Sequence, residues 1–222
     1  TRLREDVGET FYRLAAVATA RAAARQMIGA GGGAIVNLAS IAGLVGSQLD
    51  PLYSLTKGGV TLFTSTIRRG SPDYLDPRLN SHSKLHEVMA LVQAIEAGAD
   101  EALMLDIHGF VSTCNATNFF MVKDGEVWTS TGQYCMNGIT RGKVIKVSQD
   151  NGIPCHQKNF SLFDVYGADE AFVTGTFGGL TPVTKIDGRV IGTGQPGAMT
   201  EKLTALYKAE VQQAVQKAKE AK

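Results

Sequence analysis

The sequence carries no surplus of either charge: 22 Lys and Arg stand against 21 Asp and Glu in 222 residues. Holding a phosphate backbone or an anionic membrane takes such a surplus, so neither nucleic acid nor a membrane surface is an expected partner. Cysteine is scarce. Cys114, Cys135 and Cys155 form no CxxC pair, which argues against a disulfide framework and a zinc site and for reduced, mostly buried thiols in a cytoplasmic protein. Long apolar runs are missing, because the stretch from Ala34 to Gly46 is broken by Asn37 and Ser40 and a spanning helix needs about 18 apolar residues. No signal-peptide core follows the opening TRLRED, and no repeat at a period of about 20–50 residues is visible. The histidines are scattered. His82 and His86 share a helical spacing, read as a solvated helix face, and no metal site is expected.

What is present suffices for a core, since 44% of the residues are apolar. Phe11 to Met27 is rich in helix formers and is stopped by Gly29 and the run Gly31 to Gly33. Ala34 to Leu38 suits a strand covered on both faces. A second helix is expected from Leu52 to about Thr64. Residues 68–81 contain Gly70, Pro72 and Pro77, which forbid a regular helix, and Arg68-Arg69 reads as a solvated pair. His82 to Ala97 regains helical periodicity with Leu85, Val88, Met89 and Val92 along one stripe, followed by a strand at Ala102 to Asp106. Asp124-Gly125 and Asp187-Gly188 sit between alternating apolar runs, a strong hairpin signal. Ile139 to Gln149 reads as helix, and Ala171 to Thr174 as a strand running into the loop Gly175 to Gly179. From Thr200, the stripe Leu203, Leu206, Tyr207, Val211 and Val215 predicts a closing helix. Phe119, Phe120 and Trp128 are expected to fill core around the first hairpin.

Two groups of residues carry chemistry. In the first, GGGAIVNLASIAG precedes PLYSLTKGG: Ser40 ends a strand, and Tyr53 and Lys57 share one helix face. A phenol with a pKa near 10 needs a nearby cation to give up its proton near neutrality. These residues resemble the Ser and YxxxK signature of short-chain dehydrogenases over roughly residues 11–62. The resemblance implies Tyr53 as acid or base, Lys57 as the group that lowers its pKa, and Ser40 as holder of the substrate oxygen. That family's glycine-rich nucleotide fingerprint has no counterpart here, so NAD(P) is not expected.

In the second, RRGSPDYLDPRLNSHSKL, GADEALMLDIHGFVSTCNATNFFMVKDGEVWTS, NGITRGKVI and ADEAFVTGTFGGLTPVTKIDGRVIG follow one another. Gly138 precedes a helix whose first amides, at Ile139 and Thr140, lack intrahelical partners, and such a terminus is an anion site. Thr176 and Phe177 stand in a turn leaving a strand. In this order the motifs resemble class IV aminotransferases of the branched-chain and D-amino acid type. The resemblance implies pyridoxal phosphate, its phosphate cradled by Gly138, Ile139, Thr140, Thr176 and Phe177. In that family a lysine anchors the cofactor and a carboxylate keeps its ring nitrogen protonated. Alignment puts Asn80 at the lysine and Thr113 at the carboxylate. Lys84, one helical turn after Asn80, is the nearest substitute amine.

The expected fold class is therefore α+β, a mixed sheet with helices like the class IV large domain (62–222), preceded by a helix-strand-helix fragment of Rossmann type (1–61). The expected activity is amino transfer on a small amino acid, with two of its chemical groups replaced. The rival readings are a nicotinamide-dependent dehydrogenase and a non-catalytic or engineered chimeric fold. Because the join near residues 57–62 cuts two cores and bares apolar surface, a homo-oligomer or a marginally stable chain is expected.

Overall fold

The computed structural model describes residues 59–79, 84–176 and 178–220. The expected elements between Phe11 and Leu38, and the dehydrogenase-like group of Ser40, Tyr53 and Lys57, lie outside them. The chain order is β1 (Val60–Thr64), α1 (Leu85–Glu96), β2 (Glu101–Leu105), β3 (Val111–Cys114), β4 (Asn118–Lys123), β5 (Glu126–Thr129), α2 (Ile139–Asp150), β6 (Cys155–Gln157), α3 (Leu162–Tyr166), β7 (Glu170–Gly175), β8 (Gly179–Ile186), β9 (Arg189–Val190) and α4 (Ala198–Glu220).

Among the described residues all nine strands join one sheet in the order β3-β2-β1-β8-β7-β4-β5-β6, with β9 on β8. β1 runs parallel to both β2 and β8, and β5 runs parallel to β6; the remaining pairs are antiparallel. This is the mixed α+β sheet expected from the sequence. β1 is a correction, because residues up to Thr64 read as helix. Val60, Thr61, Leu62, Phe63 and Thr64 are β-branched, aromatic or apolar, and two glycines before them break a helix. Gly59 has φ +153°, and a Cβ there would stand 2.5 Å from Thr184 Cγ2.

Alternation along the strands feeds two cores. Leu62, Leu103, Phe119, Met121, Val173 and Ile186 face α3 and the Phe160 segment. Phe120, Val122, Phe172 and Leu180 face α2 and the first half of α4, whose Leu203 is fully buried. The Phe120 and Phe172 rings stack at 5.0 Å, and each buried ring contributes about 1.5–3 kcal/mol. Trp128 packs partly buried beside Phe160. Both hairpins form where the sequence places them: Asp124 and Gly125 have φ of 52° and 77°, Asp187 and Gly188 of 51° and 78°, the left-handed pair a two-residue turn requires.

Helix α1 turns the other way from expectation. Leu85, Met89 and Val92 of the apolar stripe are exposed, while Glu87, Ala90, Leu91 and Ala94 are buried. Small Ala90 and Ala94 let the helix lie close on Ala102 and Met104 of β2, and Glu87 is neutralised by an ion pair to Arg69.

Candidate cofactor site

Strand ends and one helix start gather at a single edge of this sheet. Asn118 opens β4 and pairs with Thr174 near the end of β7, so the turn through Gly175 and Thr176 starts beside it. β3 enters the turn 115–117 directly after Thr113 and Cys114, and the segment 130–138 leads from β5 to α2.

Asn118 joins these pieces. Its Nδ2 donates to Met136 O at 2.9 Å and to Thr113 Oγ1 at 3.3 Å, and it lies 3.7 Å from Cys135 Sγ. A Cβ on Gly138 would fall 2.5 Å from Asn118 Oδ1, a physical reason for glycine immediately before α2. Further side chains fix the same segment. Ser112 Oγ and Arg69 Nε donate to Tyr134 O at 2.9 and 3.1 Å, and Arg141 Nη2 donates to Ser130 O at 2.6 Å. Arg69 is thus buried and paired with Glu87 of α1, a correction to the solvated pair read from sequence; only Arg68 is exposed.

The first backbone bond of α2 runs from Gly142 N–H to Gly138 O, and no side chain caps the helix. The amides of Ile139 and Thr140 are therefore left for another acceptor. Ile139 is exposed and Thr140 is buried. Thr176 is exposed just past β7, and Thr174 Oγ1 is buried with no partner. Thr113, Gly138, Ile139, Thr140 and Thr176 thus lie at one edge; Phe177 and Asn80 lie outside the described residues.

Lys84 stands at the N-cap of α1, beside a hollow of about 30 Å³ shared with Arg69, Tyr74, Pro77 and Glu87. No hydrogen bond among the described residues joins Lys84 to the group around Thr113 and Asn118.

Asn118, Arg141 and Glu101 escaped the sequence reading. Glu101 is buried on β2 and accepts from Ala116 N–H at 2.9 Å and from Thr117 Oγ1 at 2.9 and 3.0 Å. Removal from water pushes its carboxyl up to about 7, against these hydrogen bonds. Burial also drives the neighbouring Cys114 thiol well above its ordinary range, so it stays protonated. Asn118 had a signal in its position at the start of the apolar run FFMV; Glu101 and Arg141 had none beyond their charge.

The edge fits a phosphate and does not fit the ring chemistry of pyridoxal phosphate. Unpaired helix amides, a threonine turn and a buried unpartnered hydroxyl are phosphate donors. At Thr113, where the sequence resemblance implies a carboxylate, Oγ1 spends its proton on Thr117 O at 2.7 Å. It supplies no negative charge.

A mixed sheet that offers a helix start and a strand-exit turn at one edge defines a class. The chain belongs to the amino-transferase class IV family, whose profile matches residues 4–186. It is 43% identical over 158 residues, 71% of this chain, to branched-chain-amino-acid aminotransferase-like protein 2 of Arabidopsis thaliana, covering 28% of that protein. To the branched-chain-amino-acid aminotransferase of Pseudomonas aeruginosa it is 39% identical over 67% of this chain and 49% of that one. To a D-alanine aminotransferase of Listeria monocytogenes it is 37% identical over 71% of this chain and 53% of that one. The chain thus spans about half the length, or less, of these relatives. Among solved structures, the branched-chain amino acid aminotransferase of Thermobaculum terrenum in its PLP-bound holo form superposes with a TM-score of 0.66 at 28% identity, over 69% of this chain and 51% of that one. The family is pyridoxal-phosphate dependent. Among the described residues no helix is long and apolar enough to cross a membrane.

Proposed function

We propose that this chain is the cofactor-holding part of a class IV aminotransferase of the branched-chain or D-amino acid type, which takes pyridoxal phosphate by its phosphate and without a covalent anchor. The carrying observation is the pair of free amides at Ile139 and Thr140, held beside Thr113 by Asn118 and close to the strand exit at residues 174–176. The residues of this chain bind and orient: the α2 amides and Thr176 take the phosphate, and Thr113 with Asn118 borders the ring. With Asn80 and Thr113 at the anchor and carboxylate positions, amino transfer on a small amino acid falls far below what the same fold supports with both groups present.

Borohydride treatment of the protein saturated with pyridoxal phosphate, then dialysis and peptide mapping, tests this. The expected result is saturable binding with no peptide labelled. A label on one defined lysine, Lys84 included, together with turnover of a branched-chain or D-amino acid, overturns it. A nicotinamide-dependent reaction through Ser40, Tyr53 and Lys57 rests on the sequence pattern alone; NADH fluorescence that responds to this protein would support it.

A further inference from the structure

The first turn of α2 holds a buried cation that pairs with no carboxylate among the described residues. Arg141 is 4% exposed. Its Nη1 donates to Asn137 Oδ1 at 2.9 Å, and its Nη2 to Ser130 O at 2.6 Å and to Gln157 Oε1 at 3.0 Å. All three acceptors are neutral, and Nε is buried with no partner. Among the described residues no carboxylate pairs with this guanidinium. The titratable groups that face it are two thiols, Cys135 and Cys155, and burial pushes Cys155 up, which keeps it neutral. Gly132, at φ +82°, brings the loop so near that a Cβ there would clash with Asn137 Oδ1 and stand 3.4 Å from Arg141 Nη1.

A charge withdrawn from water is costly unless paired. On the same turn, the Ile139 and Thr140 amides also lack acceptors, and the N-terminal end of a helix adds a further partial positive charge. The guanidinium and the helix start, whose free amides carry the dipole's positive end, thus lie on one turn, and no carboxylate among the described residues pairs with the guanidinium.

We propose that Arg141 is a positioning residue for a phosphate monoester dianion at the start of α2. It shapes the approach by tying Ser130 and Asn137 to the helix, and its charge favours the dianion over the monoanion. The proposal rests on the phosphate-holding reading and adds to it a residue and a ligand charge state.

Calorimetric titration of the full chain with two phosphate monoesters, phenyl phosphate and pyridoxamine 5'-phosphate, at pH 7.5 and pH 5, tests it on either side of a monoester's second ionisation near 6. The native chain should bind more tightly at the higher pH. Arg141→Gln should weaken binding about 10–100-fold at pH 7.5, the range for a lost interaction with a charged group, and should weaken it less at pH 5, so that the pH preference shrinks. Arg141→Lys keeps the charge without the fork, and should keep the pH preference with a smaller loss. It also serves if the glutamine variant fails to fold. Equal losses at both pH values, or a lysine variant without the pH preference, overturn the charge role. If both variants bind as the native chain does, this inference fails and the phosphate reading survives. If the native chain binds neither ligand, the reading fails first and takes the inference with it.

Discussion

Residue by residue, the chain keeps polar groups that hold backbone and lacks those that do covalent chemistry. Asn118 and Arg69 hold the path into α2 by hydrogen bonds, and Glu101 holds the turn that accepts the Thr113 proton. The folded-state pKa of Glu101, about 7 against 4.5 ordinarily, means that the folded chain binds this proton more tightly than the unfolded chain does. Its contribution to stability is then fully present below pH ~4.5 and is lost as pH rises through ~7. Chemical denaturation across pH 5 to 8 should show native stability falling in that window, and Glu101→Gln should flatten the slope. A variant that keeps the native slope would show that another group titrates. The sequence placed the start of α2 at Gly138 and Ile139, because a glycine before an apolar helical run marks a helix start. Arg69 and Glu87 were illegible, since burial of an arginine depends on a partner in another element.

Among the helices and strands, turn chemistry was the most legible feature. Asp-Gly pairs fix left-handed backbone locally, so both hairpins follow from two residues each. Face and type were harder wherever neighbours decide. β1 has a sequence compatible with either state, and it is a strand because β2 and β8 flank it. α1 buries its alanines because a close approach to β2 is worth more than burying its larger apolar residues. This orientation predicts different outcomes for adjacent positions. Ala90→Leu should overpack the α1–β2 contact and cost about 1–3 kcal/mol at any protein concentration, whereas Met89→Gln should cost less, with an effect confined to the proposed association of this face. Thermal melts of the two variants distinguish the faces, and the reverse ranking would mean that the helix is turned.

Across the molecule, the apolar surface left open is considerable. Leu85, Met89 and Val92 on α1 and Phe163 on α3 all face outward, and Phe163 is 85% exposed. The chain covers about half the length of most relatives it matches, and apolar faces of this kind are covered by association when nothing else covers them. A homo-oligomer is the proposed state. Its thermal midpoint should rise with protein concentration, by mass action, and light scattering should report more than one chain. A midpoint independent of concentration, with the mass of a single chain, would contradict it.

The most decisive single experiment compares equilibrium binding of pyridoxal 5'-phosphate with that of pyridoxal, the same ring without its phosphate. Retention through the α2 amides and the β7 exit predicts that the phosphorylated form binds at least about 100-fold more tightly, the sum of two charge-assisted hydrogen bonds of about 1.5 kcal/mol each. Equal affinity for the two would contradict a phosphate-held cofactor.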